Sequence, residues 1–166
     1  RVEGAYSDRR HPDEVCFVTD VREDLARRDF TVNAMAFHPE RGLLDPFGGE
    51  RDLAARVIRA VGEPRRRFEE DALRVLRAVR FACRLDAAIE PATQAALEAC
   101  APELDQIASE RVGQELDGIL ATGRVAWALR HEFAVLAAAV PELAPMEGFD
   151  QRSPYHAHDV LEHTAR

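Results

Sequence analysis

Between Phe68 and Arg84 the chain reads FEEDALRVLRAVRFACR, an acidic cluster followed by arginines at 74, 77, 80 and 84. Residues three or four apart share a helix face, so the spacing predicts one helix over Glu69 to Leu85. Asp71, Arg74, Arg77 and Arg80 then form a slowly winding polar stripe, while Ala72, Val75, Leu76 and Val79 collect on the opposite side to pack. A carboxylate beside a guanidinium presents acceptors and donors to the edge of a base, and arginines further along can pair with phosphates. The chemistry expected of the stripe is therefore recognition of a nucleoside triphosphate. The competing reading is a solvated helix face laced by intrahelical ion pairs.

A second segment favours the first reading. Residues 25 to 37 read LARRDFTVNAMAF, residues 43 to 49 read LLDPFGG, and residues 59 to 82 read RAVGEPRRRFEEDALRVLRAVRFA. In that order and spacing these motifs resemble the bacterial tRNA nucleotidyltransferases, the CCA-adding enzymes of the class II polymerase-β-like superfamily. The likeness runs from about Arg1 to Arg84 and continues more weakly to YHAHDVLEHT at 155 to 164.

The resemblance implies addition of CCA to the 3′ end of tRNA from CTP and ATP, with the protein itself as template. It implies a role for Arg28 near the triphosphate and places Asp29 and Asn33 near the ribose, where a carboxylate can accept from a 2′-hydroxyl. It makes Asp71 and Arg74 the base-reading pair and Arg77 and Arg80 further nucleotide-contacting arginines. The alternative for Asp29 is a cap or a pairing with a neighbouring arginine. Glu70 is expected to orient Arg74 or to cap the helix, since negative side chains are favoured in a first turn. Transfer to a 3′-hydroxyl also needs carboxylates holding divalent metal ions, here Mg2+. The family carries them as an aspartate pair that this chain does not display, so the ligands are expected upstream of Arg1, and no catalytic or metal-binding residue is assigned within it. The same motifs serve poly(A) polymerases and enzymes adding only CC or only A. A rival of another class is a non-catalytic RNA-binding or HD-type phosphohydrolase module, because His158 and Asp159 spell an HD dipeptide and His156, Asp159 and His163 can share a helix face.

The elements that must position these residues give an α+β reading: part of a β-containing nucleotidyltransferase head, then a mostly α-helical neck and body. Val2 to Ser7 and Glu14 to Thr19 read as a hairpin, Val21 to Arg28 as a short helix capped by Asp20, and Val32 to Phe37 with Leu43 to Asp45 as a second hairpin. DPFGG reads as a hinge, and Val57 to Val61 as a short strand. Further helices are expected from Pro91 to about Cys100, Ser109 to about Ala121, Arg124 to Val140, and from His158 onward. Trp127, Leu129, Phe133 and Leu136 are assigned to the core of this array. The division expected is 1–50 head, 51–85 neck, 86–148 helical body and 149–166 the start of a further helical unit. A chain that opens on Arg1 and stops at Arg166 within a helical pattern is read as an internal piece of a longer protein.

Composition narrows the partners. The 166 residues carry a formal charge of −8, and every lysine-or-arginine position is arginine. Residues 56–84 hold nine arginines against four acids, whereas residues 85–166 hold five against fourteen. Contact with RNA is therefore expected on local basic surface and not over the whole molecule, and the run Arg65 to Arg67 reads equally as such a surface or as a solvated turn. Cys16, Cys83 and Cys100 form no CxxC pair, which argues against a disulfide framework and for a reducing cytoplasm. No apolar run approaches membrane-spanning length.

Overall fold

The structure, a computed structural model, describes residues 2–3, 15–16, 20–152, 155 and 157–166. Strands β1 (Val2–Glu3) and β2 (Val15–Cys16) pair antiparallel, Val2 opposite Cys16. The rest of the expected first hairpin lies outside the described residues. Helix α1 (Val21–Ala26) starts where Asp20 accepts a hydrogen bond from the Arg22 N–H at 2.8 Å, the side-chain cap that the sequence predicts.

After α1 the chain departs from expectation. The second hairpin does not begin at Val32: residues Thr31–Asn33 form a 3₁₀ turn, and only then do β3 (Ala36–His38) and β4 (Gly42–Leu44) pair antiparallel. A distant partner intervenes here. The Thr31 N–H donates to the Arg59 carbonyl at 2.9 Å and the Val61 N–H to the Asp29 carbonyl at 3.0 Å, so residues 29–31 are pinned against 59–61. The DPFGG segment is also more than a hinge, because it starts helix α2 (Gly49–Ala54). The Asp45 carboxylate accepts from the N–H groups of Gly49 and Glu50 at 2.7 and 2.9 Å, and Gly48 takes a left-handed φ of 76°. Gly49 has no room for a side chain: a Cβ there would lie 2.1 Å from the Thr31 carbonyl oxygen.

Strand β5 (Val57–Ile58) pairs in parallel with β6 (Ala88–Ile89). The predicted helix over 69–85 is two helices. Helix α3 (Pro64–Glu70) begins with proline at its first position and Glu63 capping Arg65 and Arg66 at 3.1 and 2.6 Å. It ends at Asp71, whose backbone is extended (φ −157°, ψ 103°), and α4 (Leu73–Leu85) starts afresh with the Asp71 Oδ1 accepting from the Leu73 N–H at 3.1 Å. Aspartate's local capping bond competes with helix continuation, and here the cap wins.

Helix α5 (Pro91–Cys100) follows its proline and glutamate signals closely, with Glu90 accepting from the Thr93 N–H at 2.8 Å. Helix α6 (Ser109–Leu120) comes next. The expected helix over 124–140 is broken at Glu132 into α7 (Val125–His131) and α8 (Phe133–Ala139). The buried Glu132 carboxylate accepts from Gln94 of α5 at 3.0 Å, a tie that periodicity along 124–140 does not reveal. Helix α9 (Val160–Thr164) is capped by Asp159.

Around α4 runs the main core. Val75, Leu76, Ala78, Val79 and Ala82 are inaccessible and meet Phe68, Leu97, Leu104, Ile119 and Val135 from the other helices. Phe30 and Ile58 enter the same core, so the segment carrying RRDFTVNA is packed against the helix carrying the arginines. Truncating a fully buried leucine such as Leu76 to alanine costs about 2 to 5 kcal/mol, so the placement of α4 is firmly held. Leu129, Phe133 and Leu136 are buried and Trp127 packs at the edge of the core, as the pattern predicts.

Candidate nucleotide-binding cleft

A cleft of about 510 Å³ opens where the loop after α1, the α3/α4 break and the first turn of α6 converge. That is the size range of small-ligand pockets. Arg28, Asp29, Asn33, Asp71, Arg74 and Arg77 line it together with Arg27, Leu73 and Arg111. The fold thus gathers six of the seven residues proposed from sequence, although Asp29 and Arg77 are 48 positions apart.

Asp29 is 7% exposed and its carboxylate is fully engaged. Its Oδ2 accepts from Arg77 Nε at 2.8 Å and lies 2.7 Å from Arg77 Nη2, while its Oδ1 accepts from the Phe30 N–H at 2.9 Å and from Asn33 Nδ2 at 3.2 Å. The pairing with an arginine weighed at the outset is therefore present, with a partner contributed by α4. Burial opposes the charge on Arg77, but Asp29 and then Glu115 outweigh it and hold the guanidinium more firmly protonated than usual.

Arg74 is clamped differently. Nη1 donates to Glu70 Oε2 and to the Arg67 carbonyl, both at 3.0 Å, and Nη2 donates to the Arg27 carbonyl at 3.3 Å. Glu70 does orient Arg74, as its position ahead of the helix implies. Arg28 is more than half exposed and reaches Asp24 at 3.0 Å, an interaction that keeps the Asp24 carboxyl below the usual carboxylate range. Asp71 points its second oxygen, Oδ2, at Arg111 Nη2, 3.0 Å away.

Arg80 is not part of the cleft wall. Its Nε donates to Glu115 Oε2 at 2.5 Å, its guanidinium lies 4.6 Å from the Phe81 ring centroid, and its stem crosses α6 over Gly118. A Cβ on Gly118 would come within 2.3 Å of the Arg80 Cδ. The turn between Arg77 and Arg80 carries the stripe from the cleft into the α4/α6 interface. Glu115, whose Oε1 is 3.5 Å from Arg77 Nη1, joins both arginines. Sequence reasoning passed over Glu115 and Arg111. Only Glu115 carries a signal, since Val112, Glu115 and Ile119 share one buried face of α6 and a glutamate on such a face needs a cation opposite, whereas Arg111 lies on the exposed side.

A second buried network braces the loop from behind. Asp52, 2% exposed, accepts from Thr31 Oγ1 at 2.8 Å and from Arg59 Nε at 3.0 Å, and Arg59 continues to Glu90 at 3.3 Å. Among the described residues no group of three or more His, Cys, Asp or Glu side chains is placed to hold a metal ion. Asp159 of the HD dipeptide spends both oxygens as caps, accepting from the N–H groups of Glu162 and Gly148 at 2.8 and 2.9 Å, and His156 lies outside the described residues. Among the described residues no helix is long and apolar enough to cross a membrane.

The chain has relatives among known proteins. The sequence model of the poly A polymerase head domain matches residues 1–59, and that described as "Probable RNA and SrmB- binding site of polymerase A" matches residues 87–146. A CCA-adding enzyme of Limosilactobacillus reuteri is 49% identical over 120 residues, covering 72% of this chain and 30% of the relative. The crystal structure of the Bacillus stearothermophilus CCA-adding enzyme in complex with CTP superposes with a TM-score of 0.68 at 45% identity, covering 73% of this chain and 30% of that one. The Thermotoga maritima CCA-adding enzyme complexed with tRNA gives a TM-score of 0.66 at 38% identity, covering 74% and 31%. The chain spans about a third of the length of the relatives it matches. With 49% identity to a curated relative over 72% of this chain and a TM-score of 0.68 to a solved one, the chain belongs to the family of the bacterial CCA-adding enzymes.

Proposed function

We propose that this chain is the nucleotide-selecting part of an enzyme that adds CCA to the 3′ end of tRNA from CTP and ATP. The observation that carries the reading is Asp71 and Arg74 side by side at the α3/α4 break, opening onto a cleft whose other wall is Arg28, Asp29, Asn33 and Arg77. The pairing edges of C and A both present an amino donor beside a ring-nitrogen acceptor, whereas U and G present a carbonyl beside an N–H. A carboxylate next to a guanidinium complements the first pattern and opposes the second. Arg28 and Arg77 supply the positive charge for the triphosphate, and Asn33 with Asp29 borders the ribose. Arg80 contributes indirectly, through Glu115.

In this reading residues 1–50 belong to the head, 51–85 to the neck, 86–148 to the helical body and 149–166 to a following helical unit. The divalent ion of the transfer step is magnesium. The work assigned to the cleft residues is to bind and orient the nucleotide. Buried free Cys83 and Cys100 fit a reducing cytoplasm.

The test uses the full-length protein. Asp71→Ala leaves base-edge donors unpaired, at about 1 to 3 kcal/mol each, and is expected to change relative kcat/KM among CTP, ATP, GTP and UTP by roughly tenfold or more. Arg77→Ala is expected to lower CTP and ATP incorporation together with little change in their ratio. Intact selection in a folded Asp71 variant would return the stripe to an ordinary charged face, and incorporation of ATP alone by the wild type would identify a poly(A)- or A-adding relative.

A further inference from the structure

We propose that Arg111 is a built-in competitor for the base, occupying the reading oxygen of Asp71 until a nucleotide with an amino group replaces it. The proposal rests on the base-reading role assigned to Asp71 above. The two oxygens of Asp71 have different fates: Oδ1 is spent on the Leu73 N–H that starts α4, while Oδ2 faces the cleft and is met by Arg111 Nη2 at 3.0 Å. A base approaching Asp71 at Oδ2 therefore meets Arg111 already there.

The cations of the stripe that line the cleft are fixed. Arg74 is held by Glu70 and two carbonyls, and Arg77 by Asp29 and Glu115. Arg111 instead reaches across from α6 by one ion pair, with its side chain 45% exposed and that of Asp71 32% exposed. It can swing into water without leaving a buried charge, so its release is inexpensive. The exchange is also chemically selective. An exocyclic amino group of cytosine or adenine replaces one N–H donor on Oδ2 with another, whereas the carbonyl of uracil or guanine displaces Arg111 and leaves the carboxylate facing an acceptor.

A competitor makes a prediction opposite to that for a ligand. Equilibrium dissociation constants for CTP and ATP are measured on the full-length protein carrying Arg111→Ala, Arg111→Lys, Asp71→Ala or both alanine changes. Removing the competitor is expected to tighten both nucleotides by about two- to fivefold, the range that an exposed ion pair allows. Arg111→Lys, which keeps the pair, is expected to stay near the wild type, and Arg111→Ala in the Asp71→Ala background is expected to change nothing. Weaker binding in Arg111→Ala would make Arg111 a nucleotide ligand and overturn the proposal, and unchanged affinity would overturn it too. Tightening that persists without Asp71 would show general electrostatics and also overturn it, while leaving base reading in place. Base reading itself stands or falls separately, on nucleotide selection by Asp71→Ala.

Discussion

Replacing Glu115 by alanine is the perturbation that most directly tests how the arginine stripe is held. The side chain is 11% exposed and lies between two cations, 2.5 Å from Arg80 and 3.5 Å from Arg77, whose own side chains are 17% and 31% exposed. Breaking a buried ion pair from one side costs about 3 to 5 kcal/mol, because the remaining charge is left without its partner. Two features place this case at the lower end. Arg77 keeps both contacts to Asp29, and Arg80 keeps the face of Phe81. A loss of about 3 kcal/mol is expected, and with a urea m-value of about 2 kcal/mol/M the unfolding midpoint should fall by about 1.5 M at unchanged slope. Circular dichroism in urea measures it. Replacing Arg80 and Glu115 together by methionine and leucine should recover much of the loss, since an apolar pair leaves no orphaned charge. A midpoint shift of Glu115→Ala below about 0.3 M, or a double variant as unstable as the sum of the singles, would refute the claim that this network is a desolvated one.

Two further tests use the same unfolding assay. Gly49→Ala should lose about 1 to 3 kcal/mol, because its Cβ would strike the Thr31 carbonyl oxygen at 2.1 Å, while Gly113→Ala in α6, where nothing lies within 4 Å, should gain about 0.5 to 1 kcal/mol. Equal effects of the two substitutions would remove the steric argument. Burial pushes the Glu132 carboxyl above its ordinary value of 4.5, so the folded protein holds that proton more tightly than the unfolded chain does. Its stabilising contribution is therefore complete below about pH 4.5 and lost as pH rises through the raised value. Thermal midpoints of Glu132→Gln should decline less than the wild type over that window, and parallel profiles would contradict the assignment.

Local chemistry was readable from the chain itself. The Asp20 and Pro91 signals give α1 and α5 their starts because a cap or a fixed proline φ acts within four residues, and the apolar face of α4 follows from spacing alone. The cleft-lining candidates rest on two signals: Asp71, Arg74 and Arg77 stand within two turns of one another, and Asp29 and Asn33 belong to a motif singled out by its resemblance to the family. What periodicity could not supply was any relation between residues far apart in the chain. The pairing of β5 with β6 involves two residues on each side, too few to carry a pattern, and the 3₁₀ turn at Thr31 is set by Arg59 and by the close approach of Gly49. Even the α3/α4 break depends on a choice between two bonds open to one aspartate. Tertiary packing likewise decided which arginines face the cleft. Arg77 and Arg80 are equivalent as sequence, but α6 brings Glu115 against one side of α4 and Asp29 arrives on another, and a guanidinium removed from water goes to the carboxylate that can reach it.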